Sequence, residues 1–199
     1  MKKIFFAALI IVVTFAGLAS AKIEVPGRTR SWVNDYAGII DKDTKTYLES
    51  LVSSIKQKTP EPIEVVVATF RSLEGWDFND FSKEYGEKWR DAKRGKRDNG
   101  VIIIVAIKER RVGIGVGRNL DNILIPGVTD DIIKNIITPE FAQARFSDGI
   151  RKAVEKIVTI LNETDIPTGN AAAYIRGALL LVIIAALIFL LRNIYSRRQ

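Results

Sequence analysis

The sequence predicts an α/β domain, a three-layer α/β/α sandwich on a small mixed sheet, followed by one C-terminal transmembrane helix. Three observations carry that prediction. A β-branched run at 63–70 and a continuous apolar run at 101–107 are separated by a stretch of helical period, Asp77 to Asp91. A charged turn, Lys108-Glu109-Arg110, links the second run to an alternating segment, Arg111 to Val116, as in a β-hairpin. Helical patterns stand before, between and after these strands, so both faces of the sheet are covered.

At the N-terminus Lys2 and Lys3 precede the apolar run Ile4 to Leu18, and Ala19-Ser20-Ala21 closes it. This is the order of a secretory signal peptide, residues 1–21, with cleavage expected after Ala21. The run is short for an uncleaved anchor. The folded domain is assigned to 22–161. Its first helix, Asp41 to Lys58, places Leu48, Leu51, Val52 and Ile55 at helical spacing behind Asp41 as cap, and Pro60 and Pro62 stop it. Ile63 to Phe70 is the first strand. The next helix carries Phe78, Phe81, Tyr85 and Trp89 at spacings that make one aromatic stripe, read as core packing.

After the loop Ala92 to Gly100, the run Val101 to Ile107 reads as a strand buried on both faces. A helical crossover joins it to the first strand, so those two are expected to be parallel and the hairpin partner antiparallel. In the partner, Gly113, Gly115 and Gly117 alternate with Val112, Ile114 and Val116. One face is apolar and the other bare. A bare face admits close approach of a helix or a ligand, with helix packing the expected use. The glycines lie within a strand and lack the GxGxxG spacing of a dinucleotide loop. Asp130 to Ile137 is expected as a short helix broken by Pro139, and Glu140 to Leu161 as one long helix or two pieces with Phe141, Ile150, Val154, Ile157 and Leu161 inward.

A polar linker, NETDIPTGN at 162–170, ends that helix. Residues 171–191 are apolar enough to span roughly 30 Å of bilayer core as a helix. Arg176 sits near one end, Tyr174 and Tyr195 flank the run, and the tail 192–199 holds Arg192, Arg197 and Arg198. By the positive-inside rule the tail is cytoplasmic, and the signal peptide independently places the domain outside. The two signals give one topology: a single-pass protein of the cytoplasmic membrane with its domain on the extracytoplasmic, periplasmic side.

The net charge of +7 over 199 residues belongs to the ends, since residues 22–170 carry 24 basic and 23 acidic residues. A nucleic-acid partner is therefore not expected. The chain has no Cys and no His, which excludes disulfides, thiol nucleophiles, imidazole bases and zinc sites built on either residue.

Three acidic segments stand out: Val33-Asn34-Asp35-Tyr36-Ala37-Gly38, Gly95-Lys96-Arg97-Asp98-Asn99-Gly100, and Asn119-Leu120-Asp121 followed by Thr129-Asp130-Asp131. Each alone reads as a turn or a helix cap. In order they appear as VNDYAGII, GKRDNG and RRVGIGVGRNLD, and over roughly 32–161 the chain resembles the TPM domain family. It departs from the family at Arg118-Asn119, where many members have Tyr-Gly, at Asp121, where Glu is usual, and in lacking a Gly-rich tail. The resemblance implies an exported α/β/α domain beside a membrane anchor. It also implies calcium binding in some members, and either an accessory membrane-complex role or weak acid phosphatase activity in others.

A calcium site needs several oxygen ligands, which Asp35, Asp98, Asn99, Asp121 and Asp130 supply. Asp98 and Asp121 fall at one end of the hairpin, so the acidic turns are expected to gather at one rim of the sheet. Two functions follow. The first is a tethered accessory domain that binds a membrane-protein partner, with calcium holding its loops. The alternative is a metal-assisted phosphatase with Lys96, Arg97 and Arg118 as phosphate clamps. The basic run Lys93 to Arg97 fits a solvated loop or a contact with anionic lipid headgroups.

Overall fold

The computed structural model describes residues 22–56, 63–90, 98–164, 179–181 and 184. A four-stranded sheet runs in the order β1 (Val33–Asp35), β2 (Glu64–Phe70), β3 (Gly100–Ala106), β4 (Arg111–Val116). β1, β2 and β3 are parallel and β4 pairs antiparallel with β3, as the crossover and hairpin rules predict. The three-residue strand β1 is an addition to the sequence reading. VND is too short for any alternation to register, and its pairing with Val67 to Thr69 creates the strand.

Within residues 22–164 the described helices are α1 (Lys42–Lys56), α2 (Phe78–Trp89), α3 (Pro126–Ile132), α4 (Thr138–Phe141) and α5 (Phe146–Glu163), with a π-helical turn at Ile133–Ile137 joining α3 to α4. Helix α1 starts where expected: Thr44 N and Oγ1 both donate to Asp41 at 2.8 Å. Asp77 caps α2 by accepting from Asn79 N at 2.7 Å and Asp80 N at 3.2 Å. The region after β4 departs from expectation. The helix begins at Pro126, whose fixed φ suits a first turn, so Thr129 and Asp130 lie inside α3 rather than opening a helix. Pro139 likewise sits at the start of α4 and does not break the chain direction. The break falls instead at Ala142–Arg145, where Ala144 takes a left-handed φ of 58°.

Two apolar layers sandwich the sheet. On one face α1 and α5 bury Leu48, Val52, Ile55, Ile150, Val154 and Ile157 against Val33, Val65, Val67, Ile103 and Val105. On the other, α2 presses Phe81, Tyr85 and Trp89 onto Val66, Ala68, Phe70 and Ile104. Phe81, Tyr85 and Trp89 stack in succession, and Phe70 meets Phe81 edge-on at 4.8 Å, so the aromatic stripe is core. The strands follow one another in one direction while α1 and α2 lie on opposite faces. The two crossovers therefore have opposite hands, and one departs from the usual right-handed connection.

The segment from Lys22 straps the outer side of α2. Trp76 Nε1 donates to the Ile23 carbonyl at 3.0 Å, Lys88 Nζ to the Val25 carbonyl at 2.9 Å, and Arg28 to the Trp89 carbonyl and to Glu64. Among the described residues no helix is long and apolar enough to cross a membrane. Of the expected span 171–191, residues 179–181 and 184 are described, and they are helical with Leu179, Leu180 and Leu181 exposed. The rest of that span lies outside the described residues, as do the signal peptide, the tail 192–199 and the basic run 93–97.

Candidate functional site

Gly113 and Gly115 of β4 and Gly117 just beyond it alternate with apolar residues, and each does something different. A Cβ on Gly113 would stand 2.8 Å from the Phe78 ring, so here the bare strand receives a helix side chain, as expected. The Arg111 guanidinium lies 5.1 Å from the centre of the same ring. A Cβ on Gly117 would stand 2.1 Å from the Asp98 carbonyl oxygen, because the loop entering β3 crosses directly over it. Asn119 N donates to that same carbonyl at 3.2 Å and Gly117 N to Gly100 O at 2.7 Å. Between them Gly115 has nothing closer than the Ile102 carbonyl at 3.9 Å, and it is exposed.

The open stretch over Gly115 is the floor of a groove of about 820 Å³ between α2 and the β3–β4 hairpin. Ile102, Ile104 and the glycine strip form its apolar floor, and Ser82, Lys83, Gly86 and Glu87 of α2 form one wall. Phe78 on Gly113 shuts one end. The other end opens at a polar rim of Glu64, Arg90, Asp98 and Asn99. There Asp98 accepts from Arg118 Nε at 3.1 Å and lies 3.7 Å from Arg90 Nη1. Asn119 Nδ2 donates to Asn99 Oδ1 at 2.6 Å.

The five acidic and amide candidates do not converge. Asp98 and Asn99 stand at the rim with Arg118 and Asn119, which is the hairpin end expected for them. Asp35 stands at the opposite edge, because β1 ends there beside Thr69 while Asp98 precedes the first residue of the parallel strand β3. The expectation that all the acidic turns gather at one rim is thus corrected. Parallel pairing of β1, β2 and β3 separates a residue that ends one strand from a residue that precedes another. Asp35 instead organises the turn after β1, where its carboxylate accepts from Gly38 N, Ile39 N and Ile40 N and from Thr69 Oγ1. That ring of donors holds the chain at the point where Gly38 takes a left-handed φ of 69°. Asp130 is exposed on α3, and Asp121 is exposed in the turn after β4. Among the described residues no group of three acidic side chains is placed to hold a metal ion. At Asp98 two guanidinium groups already occupy the neighbourhood a cation would need, and like charge opposes its entry.

Sequence reasoning missed Arg90, because nothing in a helical period signals an ion pair across a loop. It also missed the cluster in which the buried Glu140 accepts from Arg145 Nε at 2.5 Å and Lys152 Nζ at 2.6 Å. Those bonds, Arg145 first, hold the Glu140 carboxyl down at about 2. The cluster ties α4 to α5 and lies away from the groove.

A family model for the TPM domain matches residues 33–160. No curated protein matches the chain. Among solved structures, the N-terminal domain of a P. gingivalis protein is 22% identical with a TM-score of 0.58, over 66% of this chain and 82% of that one. The N-terminal domain of a Corynebacterium glutamicum protein is 18% identical with a TM-score of 0.50, over 74% of this chain and 88% of that one. Both likenesses are of fold.

Proposed function

The chain belongs to the TPM domain family, and on that premise we propose that it is a membrane-tethered accessory domain on the extracytoplasmic side, holding a membrane-protein partner in the groove between α2 and β4. One observation carries the reading. Among the described residues no side chain covers the sheet face at Gly115, beside the wall of α2 formed by Ser82, Lys83, Gly86 and Glu87. An apolar floor with a polar rim gives a partner protein surface to bury and groups to orient it. The apolar N-terminal run before Ala19-Ser20-Ala21, the apolar run 171–191 and the basic tail in the sequence support the tether and its direction.

Calcium enters this reading only at the Asp98 edge, where the ion would replace Arg90 and Arg118 as the partner of Asp98. A calcium titration that leaves both the melting temperature and the NMR shifts of the rim unchanged removes it. The second reading, a metal-assisted phosphatase, has one feature in its favour: an aspartate flanked by two arginines at the mouth of a cleft. It predicts turnover of phosphomonoesters with calcium or magnesium that disappears in Asp98→Ala.

The accessory reading predicts that the full chain, recovered from native membranes, retains a membrane protein. Ser82→Trp, which puts an indole into the groove from its wall, should release that protein without unfolding the domain. Equal retention by both chains would count against the groove.

A further inference from the structure

We propose that the edge of the sheet carrying Asp98 and Arg118 faces the bilayer, so that the groove opens toward the lipid headgroups. This rests on the C-terminal span of the reading above. The argument begins with the direction of α5. Asp41 N donates to Ser147 Oγ at 2.8 Å, and Ser147 Oγ donates to the Ile39 carbonyl at 3.2 Å. The first residues of α1 and α5 are thus side by side. Further along both helices Tyr47 meets Glu155, whose hydrogen bond pushes the phenol up from the ordinary tyrosine range. The two helices therefore run parallel.

Helix α1 leads from the end of β1 back to the start of β2, so it finishes at the edge where Glu64 and Gly100 begin their strands. Helix α5 has 18 residues against the 15 of α1, and it finishes at or beyond the same edge. Asp98, Asn99, Arg118 and Asn119 lie on that edge, because Val116 pairs with Val101. From Thr164 only residues 165–170 intervene before the apolar run at 171. Six residues reach at most about 20 Å. The edge that α5 leaves from is therefore held close to the membrane surface. The Arg118 side chain, 77% exposed, projects from it as a cation suited to a lipid phosphate.

The other end of the chain ties this orientation to cleavage of the signal peptide. Lys22 lies with its ammonium 4.7 Å over the Trp76 ring, and Ile23 is bonded to Trp76, which follows the end of β2. Residue 22 thus sits at the opposite edge, a strand length away, and seven strand residues span about 23 Å. An N-terminal anchor retained ahead of Lys22 and the span at 171–191 would pull opposite edges to one bilayer surface. Cleavage after Ala21 removes that conflict and leaves the strap free to dock.

The test uses the full chain in vesicles of phosphatidylcholine and phosphatidylglycerol. The chain has no Cys, so a single introduced thiol reports one position. A fluorophore on Asn119→Cys marks the Asp98 edge, and one on Lys108→Cys marks the hairpin tip at the opposite edge. A nitroxide quencher carried on the lipid headgroups should quench the first several-fold more than the second. Asp121→Cys repeats the measurement if loss of the Asn119 bond to Asn99 unsettles the rim. Equal quenching at both edges, or the reverse order, overturns the orientation. A chain that fails to float with the vesicles overturns the tether itself, and flotation separates that failure from an error of orientation.

Discussion

On one face of the sheet, α1 and α5 close completely over Val65, Val67, Ile103 and Val105, with Val112, Ile114 and Val116 of β4 packed against the same layer. On the other face α2 and the strap from Lys22 cover β2 and β3, and α2 reaches β4 at Gly113 through Phe78 while no described side chain covers Gly115. The first face is core under β1, β2 and β3 and partly buried under β4. The second is core under Phe81, Tyr85 and Trp89 and cleft beyond Gly86. The same strands therefore carry stability on one side and room for a ligand on the other, and the change between the two is made by residues with no side chain. Glycine in a strand weakens it and leaves no surface to bury. A run of three on one face is worth its cost only where something else must come close.

That comparison breaks most sharply at Gly117 and Gly113. Alanine at Gly117 places a methyl 2.1 Å from a backbone carbonyl, that of Asp98, which moves only if the loop moves. A loss of about 1–3 kcal/mol is expected, of the size of overpacking in a core, together with weakening of the Arg118 bond to Asp98. Alanine at Gly113 meets the Phe78 ring at 2.8 Å, and a ring at the first turn of a helix yields more readily than backbone. Its loss should fall at the lower end of that range. Urea denaturation of both variants measures the difference. If Gly113→Ala costs more than Gly117→Ala, the closed end of the groove is the rigid one and the rim the pliant one.

Much of this is legible in the sequence, and the rest is hidden for physical reasons. The run 101–107 and the helix of Phe78, Phe81, Tyr85 and Trp89 declare themselves because burial imposes a period. Asp41 declares itself as a cap because only a short polar side chain satisfies the free N–H groups of a first turn. The strand at Val33 is invisible, since three residues carry no period and its pairing partner is over thirty residues away. The helix start at Pro126 hides behind Thr129-Asp130-Asp131, because a threonine followed by two acids imitates a capped first turn. Asp35 and Asp98 look alike as acids in loops. Which end of the sheet each occupies depends on strand direction, and composition does not carry direction.

Carboxyl groups on both sides of the sheet make the fold sensitive to acid. Asp41, through the Thr44 N–H and the Ser147 hydroxyl, is held at about 2 against an ordinary 3.8. Glu140, through Arg145 and Lys152, is held at about 2 against 4.5. Both groups belong to the α1–α5 side. On the groove side Asp77 is also lowered, by the N–H groups of Asp80 and Asn79. A carboxyl with a depressed folded value stabilises above its unfolded value, and that contribution is lost as pH falls through the folded one. The melting temperature should therefore be level at neutral pH and decline from about pH 4.5 toward 2. Asp41→Asn combined with Glu140→Gln should start lower and show a flatter decline over the same window. An unchanged slope would mean that other carboxylates dominate acid unfolding.

The smallest expected effect on stability is the one that separates packing from binding. Gly115 keeps a backbone conformation open to any residue, and a Cβ there meets nothing closer than 3.9 Å. Replacing a glycine where the native conformation suits alanine stabilises by roughly 0.4–1 kcal/mol, chiefly by restricting the unfolded chain. Gly115→Ala should therefore match or slightly exceed the parent in urea, unlike the same change at Gly113 or at Gly117. If the strip exists to admit a helix, as at Gly113, that gain should come with unchanged capture of the membrane protein. If it exists to admit a ligand, Gly115→Ala should weaken capture and the larger Gly115→Leu abolish it, with the fold intact in both. Retention of the partner by Gly115→Leu at parental stability would make the groove a gap in the cover of the sheet and move the search for the binding surface elsewhere on the domain.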